Sequence, residues 1–213
     1  LLASQPEVAW DAEASRARAE LRSFDGIAPA DPPDGFNGVL RPYQREGLGW
    51  LRFLRRFGFG GCLADDMGLG KTIQVIALLE GRRAERGAGA AAAGAAGAGG
   101  EAKLSPRPSL VVAPRSLVFN WRAEIGRFAP GLRVFEHVGP SRPKEAAAFA
   151  ESDVVLTTYG TMRRDAALFA GAAFDYVILD EAQAIKNANT DSAKAARLLQ
   201  GEHRLALSGT PIE

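Results

Sequence analysis

The sequence has little cysteine, and this scarcity removes two kinds of stabilisation. Of its 213 residues one is cysteine, Cys62. A single cysteine excludes an internal disulfide and a zinc site built on cysteines. Because Cys62 lies in a short apolar segment, we expect it to be a buried and unreactive thiol.

Long hydrophobic runs and an excess of charge are also missing. No apolar stretch approaches the ~20 residues of a membrane-spanning helix, and no signal peptide is visible. We therefore expect no membrane partner and a cytoplasmic protein, associated with the nucleoid if the source is prokaryotic. With 26 basic and 25 acidic side chains the formal net charge is +1, so any nucleic-acid binding must use a local basic patch.

Composition and patterning divide the chain into two parts. Residues 1–38 end in a connector rich in proline and glycine, and we interpret them as an upstream segment of unknown role. Residues 39–213 carry the convincing patterns, interrupted at 87–100 by a run of glycine and alanine that predicts a flexible inserted loop. The chain begins without methionine and stops abruptly, so we expect it to be a piece of a longer protein.

Strand and helix patterns alternate through the second part. Short β-branched runs at 110–113, 154–158 and 176–179 are separated by stretches with apolar residues at helical spacing, and a long helix is predicted at 182–199. This alternation predicts an α/β fold, in which a parallel sheet is covered by helices on both faces. Ligands of such sheets bind beyond the carboxyl ends of the strands.

Residues 64–72, Ala-Asp-Asp-Met-Gly-Leu-Gly-Lys-Thr, have the features of a phosphate-binding loop. A short apolar strand precedes them, their glycines allow close approach of the backbone, and a helix begins at their end. Lys71 would reach the β and γ phosphates, and the Thr72 hydroxyl would bind Mg²⁺. Asp65 stands where the common pattern has its first glycine. The alternative is a glycine-rich turn at a helix start.

An acidic pair, Asp180 and Glu181, follows the strand predicted at 176–179. A buried carboxylate is costly unless it is paired, and Mg²⁺ held jointly with Thr72 would pair Asp180. Glu181 would lie near the γ-phosphate, where it could position or deprotonate the attacking water. The alternative is a pair of acids at the start of a helix. Because the Lys71 loop and this pair both follow strands of one sheet, the ATP-binding interpretation is favoured.

Together the motifs resemble the Snf2 family of superfamily 2 helicase-like ATPases, and within it the first RecA-like lobe of a two-lobe motor. The matches cover residues 39–213 and occur in the family's order: Leu40-Arg41-Pro42-Tyr43-Gln44 with Gly47 and Trp50-Leu51, then Asp65 to Thr72, Val112-Ala113-Pro114 with Ser116-Leu117 and Asn120-Trp121, Leu156-Thr157-Thr158-Tyr159, Asp180-Glu181-Ala182-Gln183 and Leu207-Ser208-Gly209-Thr210-Pro211. The family usually carries an acidic pair before Met-Gly-Leu-Gly-Lys-Thr, which accounts for Asp65.

The resemblance implies a site for ATP and Mg²⁺. By this likeness Lys71, Asp180 and Glu181 are catalytic and Thr72 with Asp180 binds the metal. The nucleotide would be bound by Gln44, Asp66, Met67, Gly68, Leu69, Gly70, Lys71 and Thr72. The Gln44 amide offers the donor and acceptor that the edge of adenine requires, although a solvated glutamine is the common alternative.

Gln183, Ser208 and Thr210 are assigned to coupling hydrolysis to movement. Gln183 stands where the family commonly has histidine, and its amide can still bridge neighbouring groups, so ATP turnover is still expected. Ser208 and Thr210 place two hydroxyls on a turn after the last predicted strand, and a simple capped turn is the alternative interpretation.

The resemblance further implies ATP-driven translocation on double-stranded DNA, with remodelling of DNA-bound proteins and without strand separation. Hydroxyls, amides and one arginine would contact the DNA backbone, which positions a protein without reading sequence. These residues are Arg115, Ser116, Asn120, Thr157, Thr158 and Tyr159. Helix-capping and core roles are the alternatives for each of them.

The family also requires a second RecA-like lobe in cis, whose arginines complete the ATP site. Because an arginine finger contributes about 10³- to 10⁵-fold in turnover, we expect this fragment alone to bind Mg·ATP weakly and to hydrolyse it little. Two other functions remain open at this point: the lobe of a strand-separating helicase, and a nucleotide-dependent interaction module without useful turnover.

Overall fold

The computed structural model of the protein describes residues 26–95 and 107–209. They form a parallel sheet of six strands in the order β1-β6-β5-β2-β4-β3. The strands are β1 (Gly61–Leu63), β2 (Ser109–Ala113), β3 (Val134–His137), β4 (Val154–Thr158), β5 (Ala173–Leu179) and β6 (Gln200–Leu207). The predicted parallel α/β sheet is therefore confirmed.

Helices cover both faces of this sheet, as predicted. They are α1 (Pro42–Arg56), α2 (Lys71–Ala95), α3 (Val118–Phe128), α4 (Tyr159–Arg164), α5 (Ala166–Ala170) and α6 (Asp191–Leu198), with 3₁₀ turns at Arg115–Leu117, Ala146–Phe149 and Ala182–Ile185. One core joins α1, α2 and α3 to residues such as Val111 and Ile178 of the sheet. The other joins α4, α5 and α6 to Leu110 and Val112, which alternate with Val111 along β2.

The glycine- and alanine-rich segment is not the loop that its composition predicted. Helix α2 continues through it to Ala95, so the prediction is wrong for residues 87–95. The helix is already formed and buried over Val75 to Leu79, and each further residue adds one backbone hydrogen bond. Alanine, the best helix former, then offsets the cost of the glycines. Residues 96–100 lie outside the described part.

The helix predicted over 182–199 is interrupted. A 3₁₀ turn ends at Ile185, and α6 starts at Asp191 behind Thr190, whose hydroxyl accepts a hydrogen bond from the Ala193 N–H at 3.2 Å. Between them the Asn187 side chain accepts from the Asn189 N–H at 3.0 Å. Short polar side chains that bond their own backbone compete with the helix, and here they replace it.

Cys62 is exposed, so the expectation of a buried thiol is wrong. Strand β1 lies at the edge of the sheet, where side chains that alternate away from the core have no neighbouring layer over them. Within the described residues no helix is both long and apolar enough to cross a membrane.

Candidate active site

The motifs that carry chemistry meet at one edge of the sheet. The phosphate loop follows β1, Asp180 follows β5 and Ser208 follows β6, and these three strands are neighbours in the order β1-β6-β5. Because they run parallel, their carboxyl ends lie side by side. The Ser208 N–H donates to the Leu63 carbonyl at 3.1 Å, which joins the end of β6 to the start of the loop.

The phosphate loop depends on its two glycines. Gly68 has φ +85° and Gly70 has φ +79°, in the left-handed region that glycine adopts at little cost. A Cβ on Gly70 would also lie 2.6 Å from Gln44 Nε2. Helix α2 begins at Lys71, so its first N–H groups and its partial positive charge are directed at the loop. The local structure is that of an anion cradle.

The Lys71 ammonium rests on the loop itself. Its Nζ donates to the carbonyl of Asp65 at 2.7 Å and to that of Asp66 at 3.1 Å. Both acceptors are neutral, and phosphate oxygens would be stronger partners for a cation because they are charged. Lys71 is therefore placed to exchange the two carbonyls for a phosphate.

Gln44 ties α1 to the phosphate loop. Its side chain is 7% exposed, its Oε1 accepts from the Arg41 N–H at 2.9 Å, and its Nε2 donates to the Leu69 carbonyl at 3.1 Å. The Tyr43 hydroxyl donates to the same carbonyl at 3.1 Å. A solvated glutamine, the common alternative, is therefore wrong, because the side chain is buried and both ends of its amide are bonded within the protein.

Asp180 is buried and held from three sides. The Trp121 indole Nε1–H donates to its Oδ2 at 2.8 Å, and the Glu181 N–H donates to its Oδ1 at 2.9 Å. The Tyr159 hydroxyl donates to its carbonyl at 2.8 Å. Burial raises the pKa of Asp180, while the bonds from Trp121 and the Glu181 N–H oppose this shift, as does the charge of Lys71.

The surroundings of Asp180 suit a bound cation. An ionised carboxylate that burial disfavours gains most from a nearby positive charge, and a carboxylate with the Thr72 hydroxyl is a donor set that Mg²⁺ accepts. Another group, Asp175, Glu202 and His203, has ligand atoms within 4.8 Å of one another. There, however, Arg82 donates to both Asp175 oxygens, at 2.8 and 2.6 Å, and its charge opposes a metal.

Glu181 has the backbone of a strained site. Its φ is 48° and its ψ is 53°, the left-handed conformation, which costs a residue with a side chain about 1–3 kcal/mol. Through this turn the chain leaves β5 and enters the 3₁₀ turn at Ala182–Ile185. Such outliers persist where the surrounding structure holds them, and they concentrate at functional sites.

Gln183 bridges Glu181 and Ser208. Its Nε2 donates to Glu181 Oε2 at 2.5 Å, and its Oε1 accepts from the Ser208 hydroxyl at 3.2 Å. One amide therefore connects the end of β6 to the carboxylate that follows β5. Thr210, the other predicted coupling residue, lies outside the described residues.

The predicted DNA contacts fall into two groups. Arg115, Ser116 and Asn120 are exposed. A groove beside them is lined by Arg115, Phe119, Arg122, Arg142, Thr158 and Arg164, among others. The four arginines give the groove a local basic character, which is reduced because Arg122 pairs with Glu136 at 3.3 Å and Arg142 with Asp165 at 2.5 Å.

Two of the predicted DNA contacts are wrong for their side chains. Thr157 is wholly buried and its hydroxyl donates to the His137 carbonyl at 2.8 Å. Tyr159 is 9% exposed and its hydroxyl is bonded to Asp180. Both patterns were ambiguous in the sequence, because a polar residue at the end of a strand can face either the core or a ligand.

Trp121 is 1% exposed, and its bond to Asp180 was not predicted from the sequence. The partner lies 59 residues further along the chain, and no local pattern specifies that distance. Buried indoles usually find an acceptor, and this was the one available signal.

Comparison with known proteins agrees with this geometry. The model of the SNF2-related domain matches residues 43–213. A protein of Bacillus subtilis (strain 168) named as an ATP-dependent helicase/translocase, YwqA, is 46% identical over 197 residues, 91% of this chain and 20% of its own length. TATA-binding protein-associated factor 172 of Homo sapiens is 37% identical over 185 residues, 85% of this chain and 10% of its own length.

A solved structure shows the same fold. The Sulfolobus solfataricus SWI2/SNF2 ATPase core in complex with dsDNA aligns with a TM-score of 0.70 and 37% identity, over 88% of this chain and 35% of that chain. The RecA-like architecture is therefore shared. The present chain spans about a fifth or less of the two curated relatives named above.

Proposed function

Because this chain belongs to the SNF2-related domain family, we propose that it is the ATP-binding lobe of a motor that hydrolyses ATP while it translocates on double-stranded DNA. The observation that carries the proposal is the meeting of Lys71, Asp180 and the Glu181–Gln183–Ser208 chain at one edge of the sheet. In the whole protein a second RecA-like lobe in cis would complete the site. The remodelling target would be a DNA-bound protein. The protein would act in the cytoplasm, or at the nucleoid if the source is a prokaryote.

The loop geometry supports binding of ATP. The Lys71 ammonium leaves the Asp65 and Asp66 carbonyls and binds the β- and γ-phosphate oxygens, while the first N–H groups of α2 face the same phosphates. Mg²⁺, when bound by Thr72 and Asp180, neutralises the charge that develops on the phosphates. Gln44 holds the loop from the side of α1, next to where the base would lie.

Hydrolysis requires a group that positions and deprotonates water. Glu181 has the carboxylate for this role, and it lies at a left-handed turn directly after Asp180. The Gln183 amide occupies Glu181 Oε2, which leaves Oε1 to accept the proton of the water. Since the same amide is bonded to Ser208, movement of the turn after β6 would change the orientation of Glu181.

The groove of arginines supports DNA as the partner. Guanidinium groups form paired hydrogen bonds with phosphate oxygens, and contacts of this kind bind DNA without reading its sequence. The exposed Arg115, Ser116 and Asn120 extend the same surface. Movement along DNA needs contacts that are repeated at every nucleotide, which the phosphate backbone provides.

The proposal is tested by measuring ATP hydrolysis by the full parent chain, with and without duplex DNA, with a Lys71→Ala variant as the negative control. We expect duplex DNA to stimulate hydrolysis by the wild type and not by the variant. If turnover were the same with and without duplex DNA, duplex DNA would be removed from the proposal. Stimulation by single-stranded DNA, RNA and protein partners would then be compared. A strand-displacement assay on the same preparation separates a translocase from a strand-separating helicase, and displacement would favour the helicase.

Replacing Gln183 with alanine is expected to weaken the coupling between DNA and hydrolysis. The variant breaks the connection between Ser208 and Glu181, so we expect the ratio of turnover with duplex to turnover without it to fall about fivefold or more. Steady-state ATPase assays of the full chain measure this ratio. The matched control is Gln200→Ala, an exposed glutamine at the start of β6. Equal ratios in the two variants would contradict the coupling role.

A further inference from the structure

We propose that Gln74 is a positioning residue for the phosphate loop, and that its side-chain amide clamps the two ends of the loop together. Gln74 lies in the first turn of α2 and is wholly buried. Its Nε2 donates to Asp65 Oδ2 at 3.1 Å and, more weakly, to the Gly70 carbonyl at 3.4 Å. One amide group therefore contacts the residue where the loop begins and the residue where it ends. The inference rests on the proposed function.

The clamp controls where the negative charge of Asp65 lies in the phosphate loop. This aspartate lies in a loop that must accept a triphosphate, and an unpaired carboxylate there would repel it. Gln74 holds the carboxylate on the inner side of the loop, against α2. The Asp65 carbonyl meanwhile accepts from Lys71 at 2.7 Å. The position of Asp65 thus determines both the charge that ATP meets and the resting place of the catalytic ammonium.

The surroundings fix the direction of the amide. With Nε2 toward Asp65 the bond is charge-assisted, whereas the reversed amide would place Oε1 against a carboxylate. Oε1 instead points toward α1, buried and without a hydrogen-bond partner among residues 26–95 and 107–209. A Cβ on Gly47 would lie 1.9 Å from it. The glycine of α1 therefore leaves room for the amide.

This arrangement distinguishes a positioning role from simple packing. A buried amide with one unmet acceptor is worse for stability than an alkyl side chain of similar size. A residue needed only to fill the core would not carry that penalty. The amide is explained by its N–H groups, which hold the phosphate loop.

The test uses the full parent chain and measures KM for ATP, kcat, binding of a fluorescent ATP analogue and the melting temperature. Gln74→Leu keeps the volume and removes the amide. We expect KM to rise about tenfold or more, the scale of one charge-assisted hydrogen bond, with an unchanged or higher melting temperature. A variant with unchanged KM would overturn the inference.

A second, independent test moves the negative charge from residue 65 to residue 74. Gln74→Glu sets two carboxylates against each other and should raise KM at least as much. Adding Asp65→Asn restores the bond between residues 65 and 74 in reversed order, although not the weaker bond to the Gly70 carbonyl, so KM should fall well below that of Gln74→Glu alone. Failure of the double variant to recover, while the protein remains folded, would contradict the clamp. Gly47→Ala should raise KM as Gln74→Leu does, because its methyl group displaces the amide.

The two proposals fail differently. If the wild-type chain bound no Mg·ATP, the proposed function and the clamp would both be overturned. If the wild type bound ATP and Gln74→Leu bound it equally well, the clamp alone would be wrong.

Discussion

Replacing Glu181 with glutamine in the full chain is expected to lower ATP turnover about 10²- to 10⁴-fold while ATP affinity stays nearly the same. The amide fills the same space but cannot accept the proton of the attacking water. Lys71, Thr72 and Asp180 are untouched, so the contacts that bind Mg·ATP remain. The expected product is a protein that holds ATP without hydrolysing it.

Single-turnover hydrolysis and equilibrium binding of ATP separate these two effects. The control is Glu151→Gln, a change of the same kind at an exposed glutamate before β4, which should leave both quantities unchanged. If Glu181→Gln retained turnover within a few fold of the wild type, the water would be activated by another group. If it lost ATP binding as well, Glu181 would be a structural residue of the site.

Replacing Trp121 with phenylalanine is expected to shift the acid limb of the pH–rate profile to higher pH and to lower turnover. Burial raises the pKa of Asp180, and the indole N–H opposes that rise by bonding the ionised form. Without this donor the pKa rises further, so a higher pH is needed to obtain the carboxylate that is proposed to bind Mg²⁺. The variant should also need more Mg²⁺ for half-maximal turnover.

The stability of the same variant should depend on pH with a definite sign. An acid whose pKa is raised in the folded state destabilises the fold once it ionises, so this cost appears as pH rises through the folded pKa. Loss of the donor leaves a buried carboxylate less satisfied and should cost about 1–3 kcal/mol above that pKa. Below it Asp180 is protonated and the difference from the wild type should shrink.

Thermal melts and turnover of the full chain across pH test both statements. Tyr176→Phe is the control, because it removes a buried aromatic hydroxyl that has no partner in the described part of the chain. It should leave the acid limb where it is. An acid limb in Trp121→Phe that matched this control would show that the indole does not govern the ionisation of Asp180.

The placement of the candidate site could be predicted from the sequence because its residues lie in short motifs. Lys71 and Thr72 follow a strand, as do Asp180 and Glu181, and in a parallel sheet that fact alone places them at one edge. The partners of these residues could not be predicted in the same way. Trp121 looks like any core aromatic, and Gln74 like any polar residue on a helix, until the fold brings each against its carboxylate.

Local competition between residue types also limited the prediction of helices from the sequence. At 87–95 alanine and glycine oppose each other, and the outcome depended on a helix already packed against the sheet. At 186–190 a run that permits a helix is diverted by Asn187 and Thr190, whose side chains bond nearby backbone groups. In both places the balance is a few tenths of a kcal/mol per residue, too small for pattern alone to decide.

The bonds at the end of β6 also limit how such an enzyme can be re-engineered. Ser208 is attached through its backbone to the strand that carries the phosphate loop and through its hydroxyl, by way of Gln183, to Glu181. If these residues act as proposed, a substitution that shifts this turn would change nucleotide affinity and the rate of the chemical step at once. Variants selected for faster release of product should carry changes elsewhere, because at this position the two properties cannot be adjusted separately.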